Sequence, residues 1–118
     1  MRTFKLLLSL SLLILPASIA FAAVDFNQWP KPADAREFAR LDDKLPAVLS
    51  YFSRESQQQI KQLYLEQLGQ PLTERNRYGQ LELHYHSSGQ HGEQVLRIII
   101  SEQSDWRQVD LMVQARHD

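Results

Sequence analysis

The spacing of the apolar residues changes once along the chain, and this change constrains the fold more than any other feature. In the middle of the chain the apolar positions recur at i, i+3, i+4 and i+8, which predicts one buried face of an α-helix. Ser56 and Gln59 match a capping box at its start, and Gly69 followed by Pro71 predicts its end. From Gly79 onwards the apolar residues recur at every second position, which is typical of β-strands. The helical face comprises Ile60, Leu63, Tyr64 and Leu68.

Three strands are predicted in the second half of the chain. Apolar and polar residues alternate over positions 81–85 and 109–113, which predicts two strands with one buried face each. Residues 95–101 are apolar on both sides apart from Arg97, so they predict the central strand. Loops at 87–93 and 102–107 join the three into an antiparallel meander, whose apolar face the helix would cover. The sheet side of the core is predicted to comprise Leu81, Leu83, Leu96, Ile98, Ile100, Val109 and Leu111.

Two further helices are predicted before this one, the first of them within an extended arm. Prolines at positions 30 and 32 favour extended backbone, so residues 23–44 are predicted to form an extended or loosely packed arm. Within it, Asp34 is expected to cap a short helix that runs to Leu41. Pro46 suits the first turn of another helix, with its apolar side at positions 48, 49, 51 and 52. The predicted fold class is therefore α+β, with N-terminal helical segments packed on a small three-stranded antiparallel meander and residues 45–118 as a single domain.

Residues 1–22 have the three-part organisation of a secretory signal peptide. Arg2 and Lys5 form a basic start, and residues 6–15 are apolar apart from two serines. Ala20, Phe21 and Ala22 resemble a signal-peptidase site, so we expect cleavage after Ala22 and a periplasmic location. The alternative is that the segment is retained, which would make the protein a small membrane-anchored subunit.

The composition of the mature part argues against several classes of function. Removal of 22 of the 118 residues leaves 96, which suits one domain with a modest core. The signal carries two of the 13 basic residues and none of the 14 acidic ones, so the remaining 11 and 14 give a formal net charge of −3. Without a basic cluster we expect no nucleic-acid binding and no stable membrane insertion after signal cleavage. The chain has no cysteine and therefore no disulfide or thiolate ligand. No nucleophile elbow or phosphate-binding loop is present, so we expect no enzymatic activity and no cofactor.

One cluster has the residue types of a metal site. His84 and His86 are two positions apart on a predicted strand, so their side chains point to the same face, which Glu82 shares. His91 lies in the adjoining loop, within reach of that face. Imidazole and carboxylate groups suit zinc, copper or nickel. The alternative is a solvated outer face of the sheet that carries histidines.

Three aromatic side chains are candidates for binding a partner, because aromatic residues concentrate binding energy at interfaces. Phe26 and Trp29 lie in the arm, and Trp106 lies in a loop. The alternatives are that Phe26 and Trp29 fold back over the core and that Trp106 covers it as a lid. Together these features favour an exported, non-enzymatic adaptor module that binds an envelope protein through these aromatics or an exposed sheet edge. The alternative functions are a periplasmic metal-binding protein and an uncleaved, membrane-anchored small subunit.

Overall fold

The computed structural model describes residues 22–89 and 92–116, and at positions 88 and 89 it describes the backbone alone. Residues 1–21, which carry all but the last position of the predicted signal peptide, and His91 lie outside the described residues. No helix in the described part of the chain has the length and apolar character needed to cross a membrane. After a 3-10 turn at Phe26–Gln28, the regular elements are β1 (Arg36–Leu41), β2 (Ala47–Ser53), α1 (Gln57–Leu68), β3 (Thr73–Arg77), β4 (Gln80–Gly89), β5 (Gly92–Gln103) and β6 (Trp106–Ala115).

The six described strands form one sheet in the order β1-β2-β6-β5-β4-β3. Every neighbouring pair is antiparallel. It follows that β2 and β3 run in the same direction on opposite sides of the three central strands, and α1 forms the crossover between them. The last strand, β6, therefore lies in the middle of the sheet and joins the β1–β2 hairpin to the β3–β4–β5 meander.

The predicted fold class is wrong. The protein is mostly β, a six-stranded antiparallel sheet with one short helix, and it has no N-terminal α-helices in the described residues. The segment after Asp34 forms β1, and the segment after Pro46 forms β2. The apolar positions 48, 49, 51 and 52 fit a helical face, but in β2 they alternate between the two faces of a strand. Pairing with β6 along the whole of β2 satisfies the backbone and buries one of those faces, which overrides the local ambiguity.

The predicted helix and the three predicted strands are present within this larger sheet. In the capping box of α1, the Ser56 hydroxyl accepts the backbone N–H of Gln59 at 3.0 Å, and the Gln59 side chain accepts the N–H of Ser56 at 2.9 Å. Gly69 follows the last helical residue at φ +83°, a conformation that favours glycine. Ile60 and Tyr64 of α1 pack on one face of the sheet, which we call the inner face. All seven residues predicted for the sheet side of the core are buried.

The N-terminal segment completes the cover of the inner face. The 12 residues of α1 span about 18 Å, whereas the outermost of the six strands lie roughly 24 Å apart, so the helix alone is too short. Val24, Phe26 and Trp29 are buried in the same hydrophobic core, and the Phe26 and Trp29 rings meet edge to face at 5.8 Å. Arg40 of β1 donates to the Asn27 side chain at 3.4 Å, which holds this segment beside the first strand.

The other face of the sheet, the outer face, carries no helix in the described part of the chain. Its side chains alternate with the buried ones along every central strand, and Ile99 and Met112 at its centre are only partly buried. The candidate site lies at one end of this uncovered face.

Candidate functional site

Three aromatic side chains from three strands meet at one end of the outer face, and we call them the aromatic cluster. Phe38 of β1 and Phe52 of β2 are stacked, with ring centroids 4.5 Å apart and planes at 23°. Trp106 of β6 meets Phe52 edge to face, with centroids 6.3 Å apart and planes at 67°. Both geometries are favourable for aromatic pairs.

The register of the sheet and a bulge bring these residues together. Phe52 lies opposite Gln108 in the β2–β6 ladder, and Trp106 is two positions before Gln108, on the same face. In β1 the register shifts by one residue between positions 37 and 39, which leaves Phe38 as the extra residue of a β-bulge. The bulged ring lies against Phe52 and thereby extends the cluster to the edge of the sheet.

The aromatic cluster is separate from the hydrophobic core. Phe38 is 52% exposed, and Phe52 and Trp106 are half-buried, whereas every buried aromatic residue belongs to the core of the inner face. Contiguous aromatic surface that stays partly exposed contributes less to folding than a buried ring does, and it is typical of interaction sites.

A cleft of about 290 Å³ opens beside the cluster, lined by Arg36, Phe52, Gln103 and Trp106. The guanidinium carbon of Arg54 lies 4.6 Å from the centroid of the Trp106 ring, a cation–π contact. The cleft therefore combines an aromatic wall with one arginine and one amide, and a second arginine, Arg54, packs on the Trp106 ring beside it.

Arg36 in the cleft and Arg54 beside it form no close ion pair with a carboxylate among the described residues. Within 4.0 Å, neither Arg36 nor Arg54 forms an ion pair there, in contrast to Arg40, Arg97 and Arg107, each of which pairs with a glutamate. At longer range the Asp34 carboxylate interacts electrostatically with Arg54, so the charge of Arg54 is partly offset before a ligand binds.

Two carboxylates near this end of the sheet are already hydrogen-bonded. Asp34 accepts the Ser53 hydroxyl at 2.7 Å and the backbone N–H of Arg54 at 2.8 Å, and these bonds lower the pKa of Asp34. Asp110 accepts the hydroxyl of Ser50 at 2.6 Å. Neither carboxylate neutralises the cleft by a direct ion pair within the described residues.

The aromatic residues predicted to bind a partner lie in two different environments. Phe26 is fully buried and Trp29 is 8% exposed, so both side chains pack in the core as the alternative interpretation expected. Trp106 is half-buried and lines the cleft. Sequence reasoning missed Phe38 and Phe52, because it assigned both segments to helices. The sequence carries no signal that would have placed Phe52 on the outer face, because the apolar positions of β2 fit a helical face and a strand equally well.

The histidines predicted to bind a metal lie elsewhere on the outer face. His84 Nε2 is 3.2 Å from Glu82 Oε1, and this hydrogen bond is the largest cause of the lowered pKa of Glu82. The same carboxylate oxygen lies 3.6 Å from Arg97 and 3.9 Å from Arg75, so it is shared between two arginines. His86 is exposed and His91 lies outside the described residues. In the described part of the chain, no three histidine, aspartate or glutamate side chains are placed to hold a metal ion.

The two edges of the sheet are poorly suited to accept another strand. β3 is polar at all five positions, and every one of its residues is exposed. β1 is interrupted by the bulge, and its Glu37 side chain accepts hydrogen bonds from the side chains of Lys31 and Arg40. Charges and bulges of this kind oppose edge-to-edge pairing. The outer face is therefore a better candidate surface than either edge.

Comparisons of the chain with protein-family models, with curated proteins and with solved structures give no match.

Proposed function

We propose that this protein is an exported, non-enzymatic adaptor module that binds another protein of the bacterial envelope through the aromatic cluster. The observation that carries the proposal is the meeting of Phe38, Phe52 and Trp106 on a sheet face that no described element covers. Aromatic residues and arginine are the residue types that most often dominate the energy of protein interfaces.

The inner face supports this assignment because the hydrophobic core of the protein is built without the aromatic cluster. α1 and residues 24–29 already bury the inner face with aromatic and aliphatic side chains. Phe38, at 52% exposed, keeps half of its surface in water, where a polar residue would serve a self-contained domain better. Burial of that surface by a partner would contribute favourably to binding.

The exported location rests on the pattern of residues 1–22, and the start of the core is compatible with it. Ala22 is exposed, Ala23 is half-buried, and Val24 is the first core residue. Cleavage after Ala22 would therefore remove no residue of the core. The new amino group at Ala23 would lie 2.6 Å from the backbone carbonyl oxygen of Asp42, which accepts its N–H in the structure.

The proposal is tested by crosslinking in cells that express the full chain with a C-terminal tag. A partner that binds the aromatic cluster is recovered with the wild type and lost with Phe38→Ala and with Trp106→Ala. Tyr78→Ala is the matched control, because Tyr78 is 96% exposed in the turn between β3 and β4, at the opposite edge of the sheet from β1. Undiminished recovery with both cluster variants, at equal protein levels, would overturn the proposal.

The same sample tests export. Amino-terminal sequencing or intact mass should give a chain that begins at Ala23 in the periplasmic fraction. A chain that begins at Met1 in the membrane fraction would instead establish the anchored-subunit alternative.

A further inference from the structure

We infer that the cleft binds a peptide segment of the partner that presents a carboxylate beside an apolar side chain. The inference rests on the proposed function and specifies the chemistry of its ligand. The apolar side chain would lie against the aromatic cluster, and the carboxylate would pair with Arg36 and Arg54.

The charge of the cleft favours an acidic ligand. The whole chain has a formal net charge of −1, yet this end of the outer face has two arginines without an ion pair in the described residues. Neither guanidinium has a side-chain hydrogen-bond acceptor there either. Interfaces place complementary charges opposite each other, because a wrongly matched charge is costly to desolvate.

Arg54 is oriented in advance for this role. Its guanidinium lies 4.6 Å over the Trp106 ring, which restricts the side chain before a ligand arrives. A guanidinium has five N–H donors in a planar fork that matches the two oxygens of a carboxylate. The same contact occupies one face of the indole ring, so a sugar ring has less aromatic surface on which to stack. These features favour a carboxylate-bearing peptide over a saccharide.

The size of the cleft and the form of its edge define how the segment would bind. At about 290 Å³ the cleft is at the lower limit of small-molecule sites, which run from roughly 300 to 1,000 Å³. A volume of this size suits one anchoring side chain of a peptide. The bulge at Phe38 interrupts the ladder of β1, so the segment would bind through side chains on the face and not as an added strand.

The test begins with a display library of random 12-residue peptides, selected on the tagged protein purified from cells that express the full chain. We expect enrichment of peptides with Asp or Glu next to Phe, Trp or Leu. The dominant peptide is then synthesised with a fluorescent label, and its Kd is measured by anisotropy. Selection of basic peptides, or of none, would overturn the inference.

Variants locate the binding to the cleft. Arg36→Gln with Arg54→Gln should raise the Kd about tenfold or more, because two charge-assisted hydrogen bonds are lost. Arg54→Lys, which keeps the charge but not the fork, should have an intermediate effect. The matched control is Arg77→Gln, since Arg77 is exposed on the same face at the far edge and has no ion pair in the described residues. An equal Kd for the double variant and the wild type would contradict the inference.

The cellular experiment separates this inference from the proposed function. If Phe38→Ala loses the crosslinked partner but Arg36→Gln with Arg54→Gln retains it, the adaptor function stands and the acidic ligand is wrong. If neither variant loses the partner, the proposed function itself fails.

Discussion

The substitution of two phenylalanines, one at a time, distinguishes the core of this protein from its candidate binding surface. Phe26 is fully buried in the core, and Phe38 is 52% exposed in the aromatic cluster. We expect Phe26→Ala to destabilise the fold strongly and Phe38→Ala to destabilise it weakly. For partner binding we expect the opposite order: Phe38→Ala should weaken binding strongly, and Phe26→Ala should weaken it little when it is assayed below its unfolding temperature.

The expected magnitudes follow from burial. Replacement of a fully buried phenylalanine by alanine costs about 3–5 kcal/mol, because the ring loses its apolar surroundings and leaves a cavity. Phe26 also has an edge-to-face contact with Trp29 at 5.8 Å, which places it within that range and not below it. Phe38 is half-exposed and its removal leaves no enclosed cavity, so about 1 kcal/mol is expected.

These differences are large relative to the stability of a domain of this size, which is roughly 5–15 kcal/mol. At about 4–8 °C per kcal/mol, Phe26→Ala should lower the Tm by roughly 12–40 °C, and Phe38→Ala by less than about 10 °C. The assay is guanidinium unfolding followed by far-UV circular dichroism, together with a thermal melt of each variant. A free energy of unfolding that falls more for Phe38→Ala than for Phe26→Ala would refute the assignment of core and surface.

Three further predictions concern single interactions. The Tyr51 and Tyr64 hydroxyls are hydrogen-bonded to each other at 2.8 Å in the core. Either Tyr→Phe change should lower the free energy of unfolding by about 1–2 kcal/mol, because the remaining hydroxyl is left without its partner. In a double-mutant cycle measured by urea unfolding, the double change should cost less than the sum of the two single changes. Ser56→Ala removes the hydroxyl that caps α1 and should cost about 1 kcal/mol by the same assay, and Ser56→Asp should restore stability. A hydrogen bond from Arg40 and a weaker contribution from Lys31 lower the pKa of Glu37 from its ordinary value of 4.5 to about 2. The ionised Glu37 side chain therefore stabilises the fold fully above pH 4.5, and this stabilisation is lost as the pH falls through about 2. Because this carboxylate lies near the surface, we expect a difference of about 1 kcal/mol between wild type and Glu37→Gln at pH 6 that decreases below pH 4.5 and is lost as the pH falls through about 2.

Some elements could be predicted because their signals are local. α1 has its cap, its apolar spacing and its stop within 16 consecutive positions, from Ser56 to Pro71. The central strands β4, β5 and β6 show alternation or continuous apolar residues, because each has at least one face against the core.

Other elements could not be predicted, for different reasons. β3 is an edge strand whose five residues are all exposed, so it has no periodic apolar pattern and resembles a polar loop. The apolar positions of β2 fit a helical face and a strand equally well, and only pairing with β6, which lies more than 50 residues further along the chain, decides between them. In β1 a bulge shifts the alternation by one residue between Glu37 and Ala39, so the sequence does not show which residues on the two sides of the bulge share a face.

The sequence by itself determined α1 and the central strands β4, β5 and β6, together with the residues of each that share a face, because these properties depend on neighbours a few positions apart. It also named Trp106 as a candidate for binding. Only the tertiary structure decided which aromatic residues are buried, since Phe26 and Phe38 are equally apolar and lie in the same N-terminal region. The physical reason is that burial depends on which face of the sheet α1 and residues 24–29 cover. Those contacts join distant parts of the chain, and they leave the aromatic cluster on the face that remains open in the described residues.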